Sequence, residues 1–427
     1  MQMPSSRLSW LVMTAWLVGP VFLPAQSVNR LSDDKISAAT KLAKDHPTDA
    51  TWVKLGDALL LQARDAADPS FFGRAEKAYQ SALDLNPKSV DALIGMAWLQ
   101  NGRREFEHSI QWAEKALALN EKQVDAYGLL GDAAVEMGDY EKALERYQKM
   151  LDLRPDMSSY SRGARIMFLT GNVKKSAFLY GKALGASAGS SGAESWCMAR
   201  LAQLQFAQGA YVPAAQLLAR GLEKTPANPD LLATMGKVKG GLKDYDSAIS
   251  YYKKAQALRP NIELASALGD LYLMQGQTDA ANRQFEMVDN MHRANVMNGV
   301  RDNLERARFL SEHDRDLTGA LKIAEDEYKA RPSVYAADTL AWCFLKNGKI
   351  AEAKNYILKA VSRTTPEASF YYHKGVIFAK AGDVGSARTF LYQALSMNPN
   401  FDPRSTLDAL KWVQQLGEVA VTGEEGR

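Results

Sequence analysis

Ten small residues recur along this chain at intervals of 33 to 39 residues, and this regular spacing limits the possible folds more than any other feature. Eight of them are alanine and two are serine. A period near 34 indicates a row of similar units that complete their core by stacking on their neighbours. The ten positions are Ala75, Ser109, Ala143, Ser176, Ala214, Ala248, Ala281, Ala320, Ala353 and Ala387.

The unit at residues 124–157 shows what one copy contains. Its apolar residues are spaced by three and four, which predicts two amphipathic helices in succession. Gly138 lies between them and gives the backbone freedom that a tight turn needs. Pro155 ends the second helix because it has no amide hydrogen. The helices cross so closely that only a hydrogen or a methyl group fits at the contact, which explains Gly131 and Ala143.

The spacing of the small residues and the pattern of this unit resemble those of the tetratricopeptide repeat family, over roughly residues 49–401. The resemblance implies an all-α fold, a right-handed superhelix (an α-solenoid) of about ten helix–turn–helix repeats with capping helices at its ends. Units that contact only their neighbours would make an elongated particle. Met150 departs from the family pattern, in which alanine is usual. The matching positions are Tyr127, Leu130, Gly131, Ala134, Ala143, Tyr147 and Pro155.

The repeat register divides the rest of the chain into segments. Gly, Ala and Ser dominate residues 185–194, which predicts a flexible link between the fourth and fifth repeats. Asp402 can cap a final helix that begins with Pro403. The predicted segments are a capping helix at 28–48, repeats one to four at 49–190, repeats five to ten at 195–401, a capping helix at 402–416 and a disordered tail at 417–427.

The first 27 residues differ from the rest and have the pattern of a secretory signal peptide. Arg7 precedes an apolar run of 16 residues, and small residues follow it, so that cleavage is expected after Ala25 or Ser27. The run is shorter than a typical membrane span. We therefore expect an exported protein, periplasmic or secreted, with no membrane span after cleavage. The alternative is a protein that stays tethered to the membrane by the uncleaved segment.

Composition and motifs argue against several functions. The chain has 52 basic and 49 acidic residues, a net charge of +3, which gives no basic footprint for nucleic acid. Cys197 and Cys343 fall four repeats apart, too far for a disulfide, and are expected to be buried. No catalytic motif, metal-ligand spacing or cofactor-binding glycine loop is present in the sequence. An enzyme is therefore the weakest hypothesis, and no cofactor or metal is expected.

The family resemblance implies that the first helix of each repeat lines a concave groove. The charges along this groove alternate in sign, which favours a protein or peptide ligand. Aromatic residues cluster near the C-terminal end, as in binding hot spots, although Trp342 and Tyr372 could instead pack between repeats. The candidate groove residues are Trp98, Arg165, Lys237, Phe309, Tyr335, Asp338, Trp342 and Tyr372.

These observations predict an exported, non-enzymatic scaffold that binds a peptide or protein in the groove. A carrier or export factor that holds an extended polymer, such as a glycan, is the alternative. Stacked aromatic rings with neutral partners would favour the glycan, whereas mixed charge favours the protein ligand. The sequence does not name the partner, the pathway or the oligomeric state.

Overall fold

The computed structural model describes residues 28–422, with side chains described for residues 34–417. The predicted signal peptide and the last five residues of the predicted tail lie outside the described residues. The described part of the chain contains 22 helices and no strand. None of these helices is both long enough and apolar enough to cross a membrane. The helices are α1 (Val28–Asp45), α2 (Asp49–Asp65), α3 (Ser70–Leu85), α4 (Val90–Gly102), α5 (Phe106–Leu119), α6 (Val124–Glu136), α7 (Tyr140–Leu153), α8 (Met157–Leu169), α9 (Val173–Ala186), α10 (Ser191–Ala207), α11 (Tyr211–Lys224), α12 (Pro229–Gly241), α13 (Tyr245–Leu258), α14 (Ile262–Met274), α15 (Thr278–Met297), α16 (Asn303–Glu312), α17 (Leu317–Ala330), α18 (Val334–Lys346), α19 (Ile350–Ala360), α20 (Ala368–Lys380), α21 (Val384–Met397) and α22 (Pro403–Thr422).

Helices α2 to α21 form ten consecutive pairs, from α2–α3 to α20–α21. Each pair packs on the next, α1 packs on α2, and α22 packs on α20 and α21. One extra helix therefore covers each end of the stack. This arrangement confirms the predicted all-α solenoid.

The helix crossings are as tight as the sequence spacing predicts. All ten small residues of the 34-residue period are fully buried. Gly131 faces the ring of Tyr147, and a Cβ built on this glycine would lie 2.3 Å from that ring. Gly269 faces Phe285 in the same way, with a built Cβ at 2.2 Å. Each glycine thus makes room for an aromatic ring from the second helix of its own pair.

Gly269→Ala should lower the free energy of unfolding by about 1–3 kcal/mol, because the added methyl group overlaps the ring of Phe285. Gly181→Ala is the matched control. Gly181 lies inside α9 with no atom within 4 Å of a built Cβ, so this substitution should stabilise the protein by about 0.4–1 kcal/mol. Chemical denaturation of both variants measures the difference. Equal effects would mean that the helix pair at Gly269 is not so closely packed.

Two segment boundaries differ from those expected. The link between α9 and α10 is residues 187–190, shorter than the predicted 185–194. Ala193, Ser195 and Cys197 are buried at the start of α10, so packing extends a helix into a stretch that composition alone predicts to be flexible. The last helix continues to Thr422, beyond the predicted end at residue 416.

The superhelix closes on itself. Turns inside the second to fifth pairs meet the loops that follow the seventh to tenth pairs, along a line of contact that we call the seam. Val300, from the loop after α15, is buried in the core of the first three pairs. One hydrogen bond from each of the four meeting points illustrates the seam: Arg301 N–H to Arg103 O at 3.0 Å, Val334 N–H to Tyr140 Oη at 2.9 Å, Thr365 Oγ1 to Leu169 O at 2.7 Å and Asn398 Nδ2 to Phe206 O at 2.8 Å.

Two turn glycines are needed for the seam as well as for their own turns. Gly138 and Gly171 have φ angles of +74° and +81°, in the left-handed region that favours glycine. A Cβ built on Gly138 would lie 2.4 Å from the carbonyl oxygen of Pro332, across the seam. A Cβ on Gly171 would lie 2.4 Å from Oγ1 of Thr364. A side chain at either position would therefore hold the two sides of the seam apart.

Ion pairs reinforce these contacts. Arg301 Nε lies 2.7 Å from Glu105 Oε1, and Arg104 pairs with Glu305. Further along, Arg363 pairs with Glu141. The expectation that each repeat contacts only its neighbours is thus wrong for this chain, because the curvature of the stack brings distant repeats together. The particle should be more compact in solution than an open solenoid of the same length.

A disulfide across the seam tests this closure. A Cβ built on Gly171 would lie 3.4 Å from the Cβ of Thr364, close to the range of about 3.5–4.5 Å found in disulfides. The double variant Gly171→Cys/Thr364→Cys should form this bond on mild oxidation and then run faster on a non-reducing gel. Cys197 and Cys343 are free and buried, and burial raises the pKa of both thiols to about 12, so they should not compete.

Gly189→Cys/Thr364→Cys is the control for this experiment. Gly189 also has a positive φ but has no neighbouring atom within 4 Å of a built Cβ. We expect no disulfide in the control. An equal yield in both variants, or none in either, would contradict a closed seam.

Candidate functional site

The concave side of the superhelix encloses a central cavity of about 470 Å³. Its wall is formed mainly by the first helices of the fourth to tenth pairs, which are α8, α10, α12, α14, α16, α18 and α20, together with the start of α22. The first helices therefore line the concave side, as the family resemblance implied. The seam closes this groove into a cavity.

Most charged groups in the wall are paired with each other. Guanidinium groups neutralise several of the carboxylates, and histidine rings lie within hydrogen-bond distance of Asp270 and Asp338. In the described residues, no group of three or more His, Cys, Asp or Glu side chains is placed to hold a metal ion. The pairs are Arg104–Glu305, Arg165–Glu136 at 2.5 Å, Arg259–Asp230 at 2.6 Å, Arg308–Glu312 at 2.8 Å, Arg404–Asp270 at 2.9 Å, His313–Asp270 at 3.1 Å and His373–Asp338 at 2.8 Å.

Four charged side chains of the wall lack such a partner, and one of them, Asp402, accepts a hydrogen bond from the backbone N–H of Ser405. Glu263, Glu367 and Lys237 make no side-chain hydrogen bond or ion pair with any other described residue, although the ammonium of Lys237 lies 5.1 Å from the ring centre of Phe206. Burial, together with the negative charge of Glu305, raises the pKa of the Glu263 carboxyl to about 7. Burial also raises the pKa of Glu367. Perturbed carboxyl groups in a cavity mark a candidate binding site.

Sequence reasoning missed Glu263, but a signal for it was present. In the third and sixth repeats, an acidic second residue of the first helix pairs with an arginine that caps the second helix. In the seventh repeat, α15 is lengthened to 20 residues and its C-cap is Asn298, so Glu263 has no arginine. The equivalent pairs are Arg154–Asp125 at 2.9 Å and Arg259–Asp230 at 2.6 Å. The sequence therefore shows that Glu263 lacks the arginine of the third and sixth repeats, a feature that it shares with Asp91 of the second repeat, where the C-cap is Asn120. No comparable feature of the sequence indicated that Glu367 would be an unpaired residue of the cavity wall.

The structure brings five of the eight candidate groove residues to the cavity wall and leaves three outside it. Arg165 and Asp338 line the wall but are already paired with Glu136 and His373. Trp98, Trp342 and Tyr372 are not part of the wall. The role of all eight residues in partner binding stays a prediction. The five in the wall are Arg165, Lys237, Phe309, Tyr335 and Asp338.

Four of the five aromatic candidate groove residues are buried, although a ring that faced an open groove would be partly exposed. The exposed fractions are 5% for Trp98, 2% for Phe309, 8% for Trp342 and 5% for Tyr372. Trp342 stacks on His373 with ring centres 4.2 Å apart. The hydroxyl of Tyr372 donates to Asp408 on the terminal helix at 2.7 Å. Trp342 and Tyr372 thus pack between neighbouring helix pairs, which was the second of the two possibilities left open by the sequence.

Comparison with known proteins identifies the repeats directly. Family models described as "Tetratricopeptide repeat" match residues 60–124, 124–157, 229–262 and 339–400. These segments include both ends of the superhelix and two of its central units.

Individual relatives are similar over limited lengths or at low identity. The human mitochondrial import receptor subunit TOM70 is 27% identical over 94 residues, which are 22% of this chain and 16% of that protein. Tetratricopeptide repeat protein 21B of Xenopus laevis is 23% identical over 368 residues, or 82% of this chain and 25% of that protein. The chain therefore spans a quarter or less of the length of these two relatives.

Solved structures of yeast Tom70 and of the Cut9–Hcn1 complex also match. The first is 14% identical and covers 92% of this chain and 93% of that chain, with a TM-score of 0.39. The second is 12% identical and covers 91% and 94%, with a TM-score of 0.42. From the family models, we conclude that this chain carries tetratricopeptide repeats at residues 60–157, 229–262 and 339–400.

Proposed function

We propose that this chain is an exported, non-catalytic scaffold that binds a short segment of a partner protein in its central cavity. The observation that carries the proposal is the cavity, which is lined by first helices and contains both aromatic and charged side chains. Its volume of about 470 Å³ lies within the range of roughly 300–1,000 Å³ found for sites that enclose small ligands. A short peptide segment fits such a space, whereas a folded domain does not.

Tetratricopeptide repeats suit protein–protein interaction, and the ion pairs of the wall support a peptide more than a long polymer. Mixed charges can bind the main chain and the side chains of a peptide at the same time. The closed seam also restricts the length of ligand that can lie inside. These features favour a short segment over the glycan of the alternative hypothesis.

Photo-crosslinking from inside the cavity tests the proposal. Phe168 on α8 lines the cavity, whereas Phe178 on α9 is 62% exposed on the outside. Each is replaced in turn by p-benzoylphenylalanine, and the protein is irradiated in its native host. We expect a defined protein adduct from position 168 and a weaker, non-specific pattern from position 178.

The opposite pattern would contradict the cavity as the binding site and would point to the outer surface. A polysaccharide adduct at position 168 would favour the polymer carrier instead. Mass spectrometry of the adducts distinguishes these outcomes and identifies the partner.

The export part of the proposal rests on Arg7 and on the apolar run that follows it. We expect the protein isolated from its native host to begin near Gln26 or Val28, because signal peptidases cleave after small residues. N-terminal sequencing of the fractionated protein makes this measurement. An intact Met1 on protein in the cytoplasmic fraction would contradict export, and an intact N-terminus in the membrane fraction would favour the tethered alternative.

A further inference from the structure

We propose that the cavity holds a positively charged side chain of its ligand, a lysine ammonium or an arginine guanidinium, and that the carboxylates of Glu263 and Glu367 in its wall attract this charge. This inference rests on the proposed function and adds the chemical class of the bound segment. These two residues are charged, line the cavity and have no side-chain hydrogen bond or ion pair with another described residue.

The first line of evidence is the arginine that the seventh repeat lacks. Arg154 and Arg259 neutralise the equivalent carboxylates of the third and sixth repeats. At the corresponding place in the seventh repeat, the C-cap of α15 is Asn298. A carboxylate in a partly dry cavity is costly unless it is paired. A guanidinium or ammonium brought by the ligand would therefore supply what the third and sixth repeats supply from their own sequence.

The second line of evidence is the balance of charge around the two carboxylates. Burial raises the pKa of both carboxyls, and the charges of Arg308 and Lys237 lower it. Glu305 raises the pKa of Glu263, and Asp338 raises that of Glu367. Both carboxylates line the same cavity. Arg308 is paired with Glu312, Arg104 with Glu305 and Asp338 with His373.

The charged groups of the wall that have no ion pair with a described residue are the carboxylates of Glu263, Glu367 and Asp402 and one ammonium, that of Lys237. This excess of negative charge favours a cationic group over an anionic one. The partly exposed rings of Phe168 and Tyr335 line the same cavity and would contact the apolar stem of a lysine or arginine side chain.

The experiment measures how tightly the intact protein binds four peptide pools. The pools are acetylated and amidated tetrapeptides in which one central residue is lysine, arginine, norleucine or glutamate. Norleucine has nearly the shape of lysine without its charge. By titration calorimetry at pH 8, we expect the lysine and arginine pools to bind roughly thirtyfold more tightly than the norleucine pool, or better, as is usual for a buried charge pair.

The pH dependence of binding gives a second readout. Since the pKa of Glu263 is about 7, this carboxyl is ionised at pH 8 and largely protonated at pH 6. The lysine side chain stays charged throughout, with an ordinary pKa of about 10.4. Affinity for the lysine pool should therefore fall as the pH drops through 7, and Glu263→Gln should remove this dependence.

Two variants and one control assign the effect to the two carboxylates. Glu263→Gln and Glu367→Gln should each remove most of the preference for lysine over norleucine. Neither should lower the melting temperature, because a carboxyl whose pKa is raised in the folded state destabilises the fold once it ionises. Glu325→Gln on the exposed side of α17 is the matched control and should leave the preference unchanged.

The possible failures are distinct. Equal binding of the norleucine and lysine pools would overturn the charge preference but leave peptide binding in the cavity intact. Tightest binding of the glutamate pool would also overturn it and would assign the anchoring role to Lys237. If none of the four pools binds, the proposed function and this inference fail together.

Discussion

Asp132→Ala should lower the free energy of unfolding by about 3–5 kcal/mol, because it leaves a buried guanidinium without its counter-charge. Asp132 and Arg162 are both buried. Two hydrogen bonds run side by side between them, from Nε to Oδ1 at 3.0 Å and from Nη2 to Oδ2 at 2.8 Å. The hydroxyl of Tyr147 also donates to Oδ1 at 2.8 Å. The substitution therefore removes the acceptor for three buried donors at once.

The double variant Asp132→Ala/Arg162→Met separates two effects on stability. One is the loss of the ion pair, and the other is the cost of a buried guanidinium without a counter-charge. Removal of both partners should recover much of the loss, since an apolar side chain has no charge to desolvate. Lys224→Ala is the surface control. Lys224 lies 3.1 Å from Glu194 with its side chain 61% exposed, and such pairs contribute about 1 kcal/mol or less. Urea denaturation of all three variants checks these expectations, and a small loss for Asp132→Ala would contradict the buried pair.

Trp342→Ala should also cost about 3–5 kcal/mol, because a large buried ring leaves a cavity that its neighbours cannot fill. The ring of Trp342 stacks on His373 at 4.2 Å and lies 5.8 Å from the ring of Tyr372. His373 in turn is 2.8 Å from Asp338. Loss of the indole would thus loosen the contact between the ninth and tenth repeats together with the hydrogen bond that orients His373.

Trp342→Phe should cost clearly less than Trp342→Ala. The indole Nε1 is buried and has no hydrogen-bond partner among the described residues, so phenylalanine loses volume but no hydrogen bond. Tyr392→Ala is the control for an exposed ring, since Tyr392 is 49% exposed on α21, and it should change stability little. Melting temperatures rank the three variants. A near-native melting temperature for Trp342→Ala would return this residue to the list of candidate groove residues.

The sequence by itself determined the repeating unit and its internal packing. The positions of Ala143 and its nine equivalents predicted residues that are fully buried. The need for a small residue at Gly131 followed from the same register, and the structure places the ring of Tyr147 against it. These features are decided within one helix pair, where residues 10 to 20 positions apart in the chain meet, so that local periodicity and steric fit are sufficient to predict them.

The sequence predicted the site only in part, and Lys237 and Trp342 show why. Lys237 was placed on the concave face correctly, because the side of a first helix follows from its register. Trp342 was placed on the same face by the same rule, yet it is buried, because a ring this large reaches the neighbouring repeat. Register fixes the direction of a side chain, but packing with the next helix decides its exposure.

Only the tertiary structure decided that the superhelix closes. Each repeat is rotated slightly relative to the one before it, and these rotations add up along the stack. They bring Tyr140 to Val334 and Leu169 to Thr365, residues separated by five other helix pairs. No local pattern encodes a distance that depends on the sum of many small angles. The cavity, with the unpaired carboxylate of Glu263 in its wall, exists because the summed rotations bring the later repeats back against the earlier ones.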